Sequence, residues 1–586
     1  MGVAVGTLRG VAVPPVFPRP RHLEVTGPTG DARERSITQD PTLPVQGYRL
    51  QVTPEGADVR HADTAGLRHA RHTLAQLAAA PDLPALVVRD HPDLVRRGFM
   101  LDISRDRVPT RATLDWLVEV LAELRYDHLE LYVEHTYAYA GQEVVWRDAS
   151  PVTADDLRWL DDRCTTAGIE LVANQNTFGH MERWLRHDVH RWRAECPDGA
   201  TDPFSGKPMA PTTLAPTAEN AAFAAALVQE QAAAIRSTTV HIGADEPFEL
   251  GQGVSAARVA AKGRPAVYLE HLIRIAEPLL AEGREVLFWG DVLRRHPELV
   301  ARLPDGLVPV VWHYDAPSEE PGLVGSLPDE VLADLGLPEG FHRGFAAHLR
   351  SVVETGREHW VAPGTSSWNS LVGRWDEARP NLLDAATAGV ASGASGYLVT
   401  DWGDNGHLQP LIVSLLPIVY GAGVAWCAST NAEVDVTPVV DRLAGRAGLG
   451  ALLVEVGSWH RVAGIQTANS SPLFGAIDPG RPVPLVGRGE PQALTTLLGR
   501  VEAAVADAEA VGRPDLLAAV RLARQGAWRL ARRAGVDLVP SLEALAADLE
   551  DVRHLYREAW LSTSRPGGLE DSLRHLPGSR DGRGER

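Results

Sequence analysis

Between residues 98 and 402 the chain carries eight short apolar runs, most of them followed by a longer segment of helical period. That alternation restricts the fold more than any other feature of the sequence. The runs lie at 98–103, 128–133, 169–174, 238–243, 285–290, 308–313, 359–364 and 396–402. Segments such as 112–124, 153–168 and 218–235 fit between them and show helical periodicity. Strands that alternate with helices build parallel sheets, and eight such repeats close into a (β/α)8 barrel. The expected fold is therefore α/β, a TIM barrel over residues 93–430.

The flanks read differently. Residues 46–90 combine a strand-like run (47–53) with a helical one (67–80), which predicts a small α/β domain over 1–92. Beyond the barrel, the stretch from 492–511 to 551–561 is helical by period, so 431–586 is expected to be a mainly helical domain. Residues 576–586 read as a disordered tail. Acidic residues outnumber basic ones, 76 against 57, for a net charge of −19; this disfavours nucleic acid and anionic membrane surfaces as partners. No run approaches the ~18 consecutive apolar residues of a membrane helix. The N-terminal apolar run is broken by Arg9 and then by prolines, without a convincing cleavage site, and a cytoplasmic location is expected. Cys164, Cys196 and Cys427, odd in number and far apart, offer neither a disulfide framework nor metal-ligand spacing.

In a barrel of this kind chemistry sits where the strands end at the C-terminal face. The polar residues that follow the apolar runs are Asp102 and Arg105, Glu134 and His135, Asn174 and His180, Asp245-Glu246, Asp291, the group Trp312 to Asp315, Trp368-Asn369, and Asp401 with Asp404. Tryptophan is unusually abundant, 15 against 10 Phe, and six fall between 289 and 402. Core packing accounts for some of them; indoles at strand ends also hold sugar rings through a flat apolar face and an N–H donor. Asp245-Glu246 directly follows a strand through small residues. Two carboxylates there allow one to stay ionised while the other is protonated, which suits acid/base work on a glycosidic bond. The competing reading makes them acids of a helix N-terminus.

Several motifs resemble those of glycoside hydrolase family 20, the β-N-acetylhexosaminidases, and within it a bacterial N-acetyl-β-D-glucosaminidase branch with a helical C-terminal domain. They are GYRLQV (47–52), GLRHARHTLAQL (66–77), RDHPDLVRRGFMLDISRD (89–106), NTFGHMERWL (176–185), HIGADE (241–246), VLFWGD (286–291), VTDWGD (399–404) and REAWLSTSRPGGLEDS (557–572). The resemblance implies substrate-assisted retaining hydrolysis of terminal β-linked GlcNAc, or GalNAc, in an oligosaccharide or glycoconjugate. It implies Asp245 as the group that orients the acetamido N–H and Glu246 as the acid and then the base. Arg105 and Asp404 would hold sugar hydroxyls, His180 would support the polar shell, and Trp289, Trp312 and Trp402 would line the acetamido pocket, with Asp291 close by. No metal and no cofactor are expected.

Two departures stand out. Many family members end the second strand in paired aspartates, where this chain has Glu134-His135. Many also supply a tyrosine after the seventh strand, where this chain has Trp368-Asn369; Tyr314 could take over its contact with the acetamido carbonyl. Two other functions stay open: a barrel glycosidase working with separated carboxylates such as Glu134 and Glu246, and a sugar-binding barrel without catalysis. A homodimer through the helical tail is also open, although no heptad pattern supports it.

Overall fold

The computed structural model describes residues 15–577, apart from 106, 202–205, 328 and 478–484. All eight expected strands are present: Arg96–Asp102, His128–Val133, Glu170–Gln175, Thr239–His241, Glu285–Trp289, Leu307–Trp312, Trp360–Ala362 and Gly396–Asp401. They pair in parallel and in sequence order. The eighth closes on the first with Gly396 opposite Arg96 and Asp401 opposite Leu101. Strands covered on both faces read as continuous apolar runs, which is why they were legible without alternation. Met100, Tyr132, Leu287, Trp289, Val310, Trp360 and Leu398 fill the interior, so the barrel is a packed core.

The N-terminal domain is a five-stranded sheet in the order His22–Gly27, Ala85–Asp90, Tyr48–Thr53, Gly56–His61, Glu34–Gln39. The helix Thr64–Ala78 packs on it, its first turn capped by the Asp63 carboxylate, which accepts the Gly66 N–H at 2.8 Å. Only the Tyr48–Thr53 strand and this helix had been expected. The edge strand Glu34–Gln39 is exposed along its whole length and therefore lacks an apolar signature. Asp90 locks the sheet to the rest: its buried carboxylate accepts from Tyr48 Oη (2.9 Å), Trp426 Nε1 (2.9 Å) and Arg125 (3.1 Å).

Residues Leu411–Asn431 correct one expectation, because this stretch is helical, long and apolar enough to cross a membrane. It is mostly buried, however, packed against the Trp375–Ser392 helix and the first and eighth barrel strands, with Trp426 and Cys427 in the N-terminal domain's core. Beyond it, Pro491–Val511, Pro514–Arg533 and Leu542–Thr563 stack as successive helices. This part is tied to the barrel's C-terminal end, where the Arg565 N–H donates to the Val108 carbonyl (2.7 Å) and Arg107 lies over Trp560. The first two residues of the tail expected from 576 are instead fixed, since Leu576 is buried and Arg553 donates to the carbonyls of Leu576 and Pro577. Residues 578–586 lie outside the described residues.

Candidate active site

Asp245 and Glu246 belong to no helix. They sit in a loop directly after the Thr239–His241 strand, and the next helix begins at Ala256, which removes the helix-terminus reading. The loop is held under backbone strain, with φ of 69° at Ala244 and 46° at Glu246. Nine of the twelve non-glycine residues with positive φ among the described ones are in loops after barrel strands or at Asn469 beside them. Strain of ~1–3 kcal/mol per residue persists only where neighbours fix the conformation, which is common at reactive sites. Gly243 is required here: its φ is 60°, and a Cβ would meet Asn176 at 2.8 Å. Gly179 has the same necessity, because a Cβ would come within 2.3 Å of the Asp245 carbonyl.

The Asp245 carboxylate accepts Asn176 Nδ2–H at 2.6 Å, and Asn176 Oδ1 accepts the Ala244 N–H at 3.1 Å. One amide thus orients both the loop and its acid. His180 Nε2 lies 3.4 Å from Asp245 Oδ2 and 3.4 Å from Glu246 Oε2, and its Nδ1 is 3.9 Å from Glu134. Burial alone would raise Asp245, but the charge and hydrogen bond of His180, with Asn176, bring it below the ordinary carboxylate range. Burial opposes charge on His180 as well, and Asp245 overrides it, so the imidazole is held well above its usual range. Asp245 is therefore an ionised acid against a protonated histidine.

Arg105 organises the opposite wall. Its guanidinium is 2.9 Å from Asp102, 3.4 Å from Glu134 and 3.6 Å from Asp404, and lies over Tyr132 and Trp402. Asp102 is fully buried and also accepts the N–H groups of Ser104 (2.7 Å) and Gly403 (2.9 Å), which ties the first strand's loop to the eighth's. Burial pushes Glu134 up, with Arg105 opposing; burial likewise pushes Asp404 up to about 6.

Aromatic rings form the third wall. Trp312 and Tyr314 stack at 5.2 Å, and Trp368 meets Tyr314 edge-on at 5.0 Å. The Tyr314 hydroxyl accepts Trp402 Nε1–H at 2.8 Å, while Trp368 Nε1 donates to Asn469 Oδ1 at 3.0 Å. Together these walls enclose a cavity of about 820 Å³ lined by ten of the twelve expected residues: Arg105, Glu134, His180, Asp245, Glu246, Trp312, Tyr314, Trp368, Trp402 and Asp404.

The remaining two lie behind it. Trp289 is wholly buried in the barrel interior, 5.7 Å from the Trp402 ring, and so backs the wall instead of forming it. Asp291 is buried beneath the loop and accepts the Glu246 N–H at 3.2 Å. Burial, and then the charge of Asp245, push it up to about 7. Asn176 was missed as a site residue although it follows a strand end in a quoted motif, and Asp102 was placed at its strand end without a role. Asn469, Arg574 and His575, which reach the cavity from the helical part, carried no signal in the sequence; Asp571, which reaches it too, lies in the quoted 557–572 motif but was given no role. Among the described residues, His180, Asp245 and Glu246 are also the one group whose donor atoms converge closely enough to hold a metal ion. Their mutual ion pairing accounts for the same convergence.

Comparison with known proteins places this geometry. Residues 18–91 match the model of glycosyl hydrolase family 20, domain 2. A β-hexosaminidase of Akkermansia muciniphila is 27% identical over 191 residues, covering 28% of this chain, and hexosaminidase D of Bos taurus is 24% identical over 193 residues, covering 31%. The chain carries a family 20 domain at its N-terminus. It spans only 38% and 53% of those two relatives' lengths. Among family 20 structures, a chitobiase of Flavobacterium johnsoniae superposes over 95% of this chain and 98% of its own, with a TM-score of 0.55 at 13% identity. An exo β-N-acetylglucosaminidase of Vibrio harveyi superposes over 78% of this chain and 79% of its own, with a TM-score of 0.55 at 15% identity. Identities this low speak for the fold, and the family's small domain followed by a barrel is the architecture found here.

Proposed function

We propose that the protein is an exo-acting, retaining β-N-acetylhexosaminidase that removes terminal β-linked GlcNAc, and GalNAc where its loops accept the axial hydroxyl, with the substrate's acetamido oxygen as nucleophile. The observation that carries this reading is the pairing of Asp245, kept ionised by His180 and Asn176, with Glu246 on the adjacent residue. An ionised carboxylate has no proton for a leaving group. It is suited to accept the acetamido N–H and to stabilise the positive charge that spreads onto that nitrogen as its carbonyl oxygen attacks the anomeric carbon. Glu246 donates its proton to the departing glycosidic oxygen, and the resulting carboxylate takes a proton from the water that opens the oxazolinium ring. Attack twice on the same carbon, first by the acetamido oxygen and then by water, retains configuration. Family 20 is among the families set apart from the two-carboxylate scheme for this reason.

The remaining walls fit the same reading. The aromatic surface of Trp312, Trp368 and Trp402 is apolar cover for the acetamido methyl and sugar faces. Tyr314 offers a hydroxyl for the acetamido carbonyl, replacing the tyrosine missing after the seventh strand. Arg105 and Asp404 present a donor fork and an acceptor for hydroxyls of the non-reducing sugar. The test is hydrolysis of 4-nitrophenyl β-GlcNAc, β-GalNAc and β-glucoside by wild type, Asp245→Asn and Glu246→Gln. Cleavage of the acetamido sugars alone, with both variants at least ~100-fold slower, is expected. Comparable cleavage of the β-glucoside transfers the function to a pair of protein carboxylates.

A further inference from the structure

A second cavity, of about 590 Å³, lies on the other side of Glu246. It shares Glu246, Phe248, Trp312, Tyr314 and Asn469 with the sugar pocket, whereas Arg105, Glu134, His180, Asp245 and Asp404 line the sugar pocket only. A general acid stands between the sugar it releases and the group that leaves. The space that Glu246 alone of the catalytic pair opens onto is then the leaving group's side.

The walls of this chamber decide the chemistry. Phe248, Val292, Trp312, Val324, Leu337 and Phe341 give it a predominantly apolar surface. Three of its inner polar residues, Asp291, Arg294 and His313, are occupied or sealed. Arg294 donates to the Trp312 carbonyl at 2.7 Å, Asp291 accepts from the Glu246 backbone, and Asp291 Oδ1, Arg294 Nε and His313 Nε2 are closed off from solvent. Arg264 donates to the Pro247 carbonyl at 3.0 Å, and Arg295 is exposed. His296, Tyr314, Asp315 and Asn469 also line the chamber, but most of its surface is apolar, which suits an alkyl or aryl body better than a sugar with its several hydroxyls. Pockets of ~300–1,000 Å³ hold groups well beyond a single ring.

On the reading above of the sugar pocket, we propose that this chamber is a leaving-group site selective for apolar alcohols, so that the favoured substrates are N-acetylhexosaminides of long alkyl or aryl-alkyl alcohols. The reaction is unchanged: Glu246 gives its proton to the alcohol oxygen as the C1–O bond breaks, and the alcohol departs into the chamber.

The experiment measures kcat/KM on methyl, butyl, hexyl and octyl β-N-acetylglucosaminides and on N,N′-diacetylchitobiose. The four alcohols leave with similar chemistry, so differences report burial. Each added methylene is expected to raise kcat/KM about two- to fourfold, with the octyl glycoside outranking chitobiose. Val324→Trp and Leu337→Trp, which fill the chamber, should flatten the series while leaving the methyl glycoside unaffected; using both guards against one failing to fold. A flat wild-type series, chitobiose ahead of octyl, or a series unchanged in the filled variants overturns the proposal while the hexosaminidase reading stands. If no acetamido glycoside is cleaved at all, the parent reading fails and this one falls with it.

Discussion

Asp291 is the residue whose replacement should change stability in a pH-dependent and opposite-to-usual way. It is buried, its Oδ2 holds the Glu246 N–H, and it protonates at about 7 in place of the ordinary 3.8. The ionised form is therefore disfavoured by about 4 kcal/mol, at ~1.4 kcal/mol per factor of ten. Burial is the largest cause, and repulsion by Asp245 the next. The sign follows from proton binding. Between pH ~4 and 7 the folded chain holds a proton that the unfolded chain has lost. The wild type thus loses stability as pH rises through that window and no more above it. Asn mimics the protonated carboxyl, keeps an acceptor for the Glu246 N–H and does not titrate. In thermal melts the Asp291→Asn and wild-type midpoints should nearly coincide at pH 4.5. The variant should then pull ahead by several degrees at pH 8, at roughly 1–2 °C per kcal/mol for a unit of this size. The reasoning is refuted if the two midpoints keep the same separation at both pH values, or if the wild type gains on the variant as pH rises.

Three further outcomes follow from the same geometry. Asn176→Ala removes the 2.6 Å bond to Asp245 and should lower kcat about 10- to 100-fold with little change in KM, the usual value of a hydrogen bond to a buried charge; an unchanged kcat would deny Asn176 its orienting role. His180→Gln should cost stability at pH 5, and the difference should shrink as pH rises above the ordinary histidine value, because a raised folded pKa stabilises only while the ring is protonated; denaturation followed from pH 5 upward checks the direction. Overnight dialysis against EDTA should leave kcat/KM on 4-nitrophenyl β-GlcNAc unchanged, whereas loss restored by a divalent ion would turn His180, Asp245 and Glu246 into metal ligands.

The barrel was legible because each strand is buried on both faces and so announces itself as an apolar run; its ends then located the loops that carry chemistry. Glu34–Gln39 escaped because an exposed edge strand has no apolar pattern to display. Within the site, residues at strand ends were found, Asn176 apart, and the distinction between wall and backing was not. Trp289 and Asp291 follow the same strand as each other and share a motif, yet the indole turns into the barrel interior and the carboxyl lies under the Glu246 loop. Facing of that kind depends on the tilt of the strands and on neighbours far off in sequence. Asn469 shows the limit most clearly: it fixes the Trp368 indole from a segment a hundred residues away, and nothing in its surroundings in the chain marks it.

The claim at the centre of the account is that the acetamido oxygen, and no protein carboxylate, attacks the anomeric carbon. It is tested most directly by kcat/KM on a series of 4-nitrophenyl β-glucosaminides whose N-acyl group is acetyl, fluoroacetyl, difluoroacetyl and trifluoroacetyl. Fluorine withdraws electrons from the carbonyl oxygen while changing its size little. Attack by the acetamido oxygen requires a steep, monotonic fall in log kcat/KM with each fluorine, and a rate for the trifluoroacetyl substrate at least ~1,000-fold below that of the acetyl one. A flat series would contradict it and assign the attack to the protein.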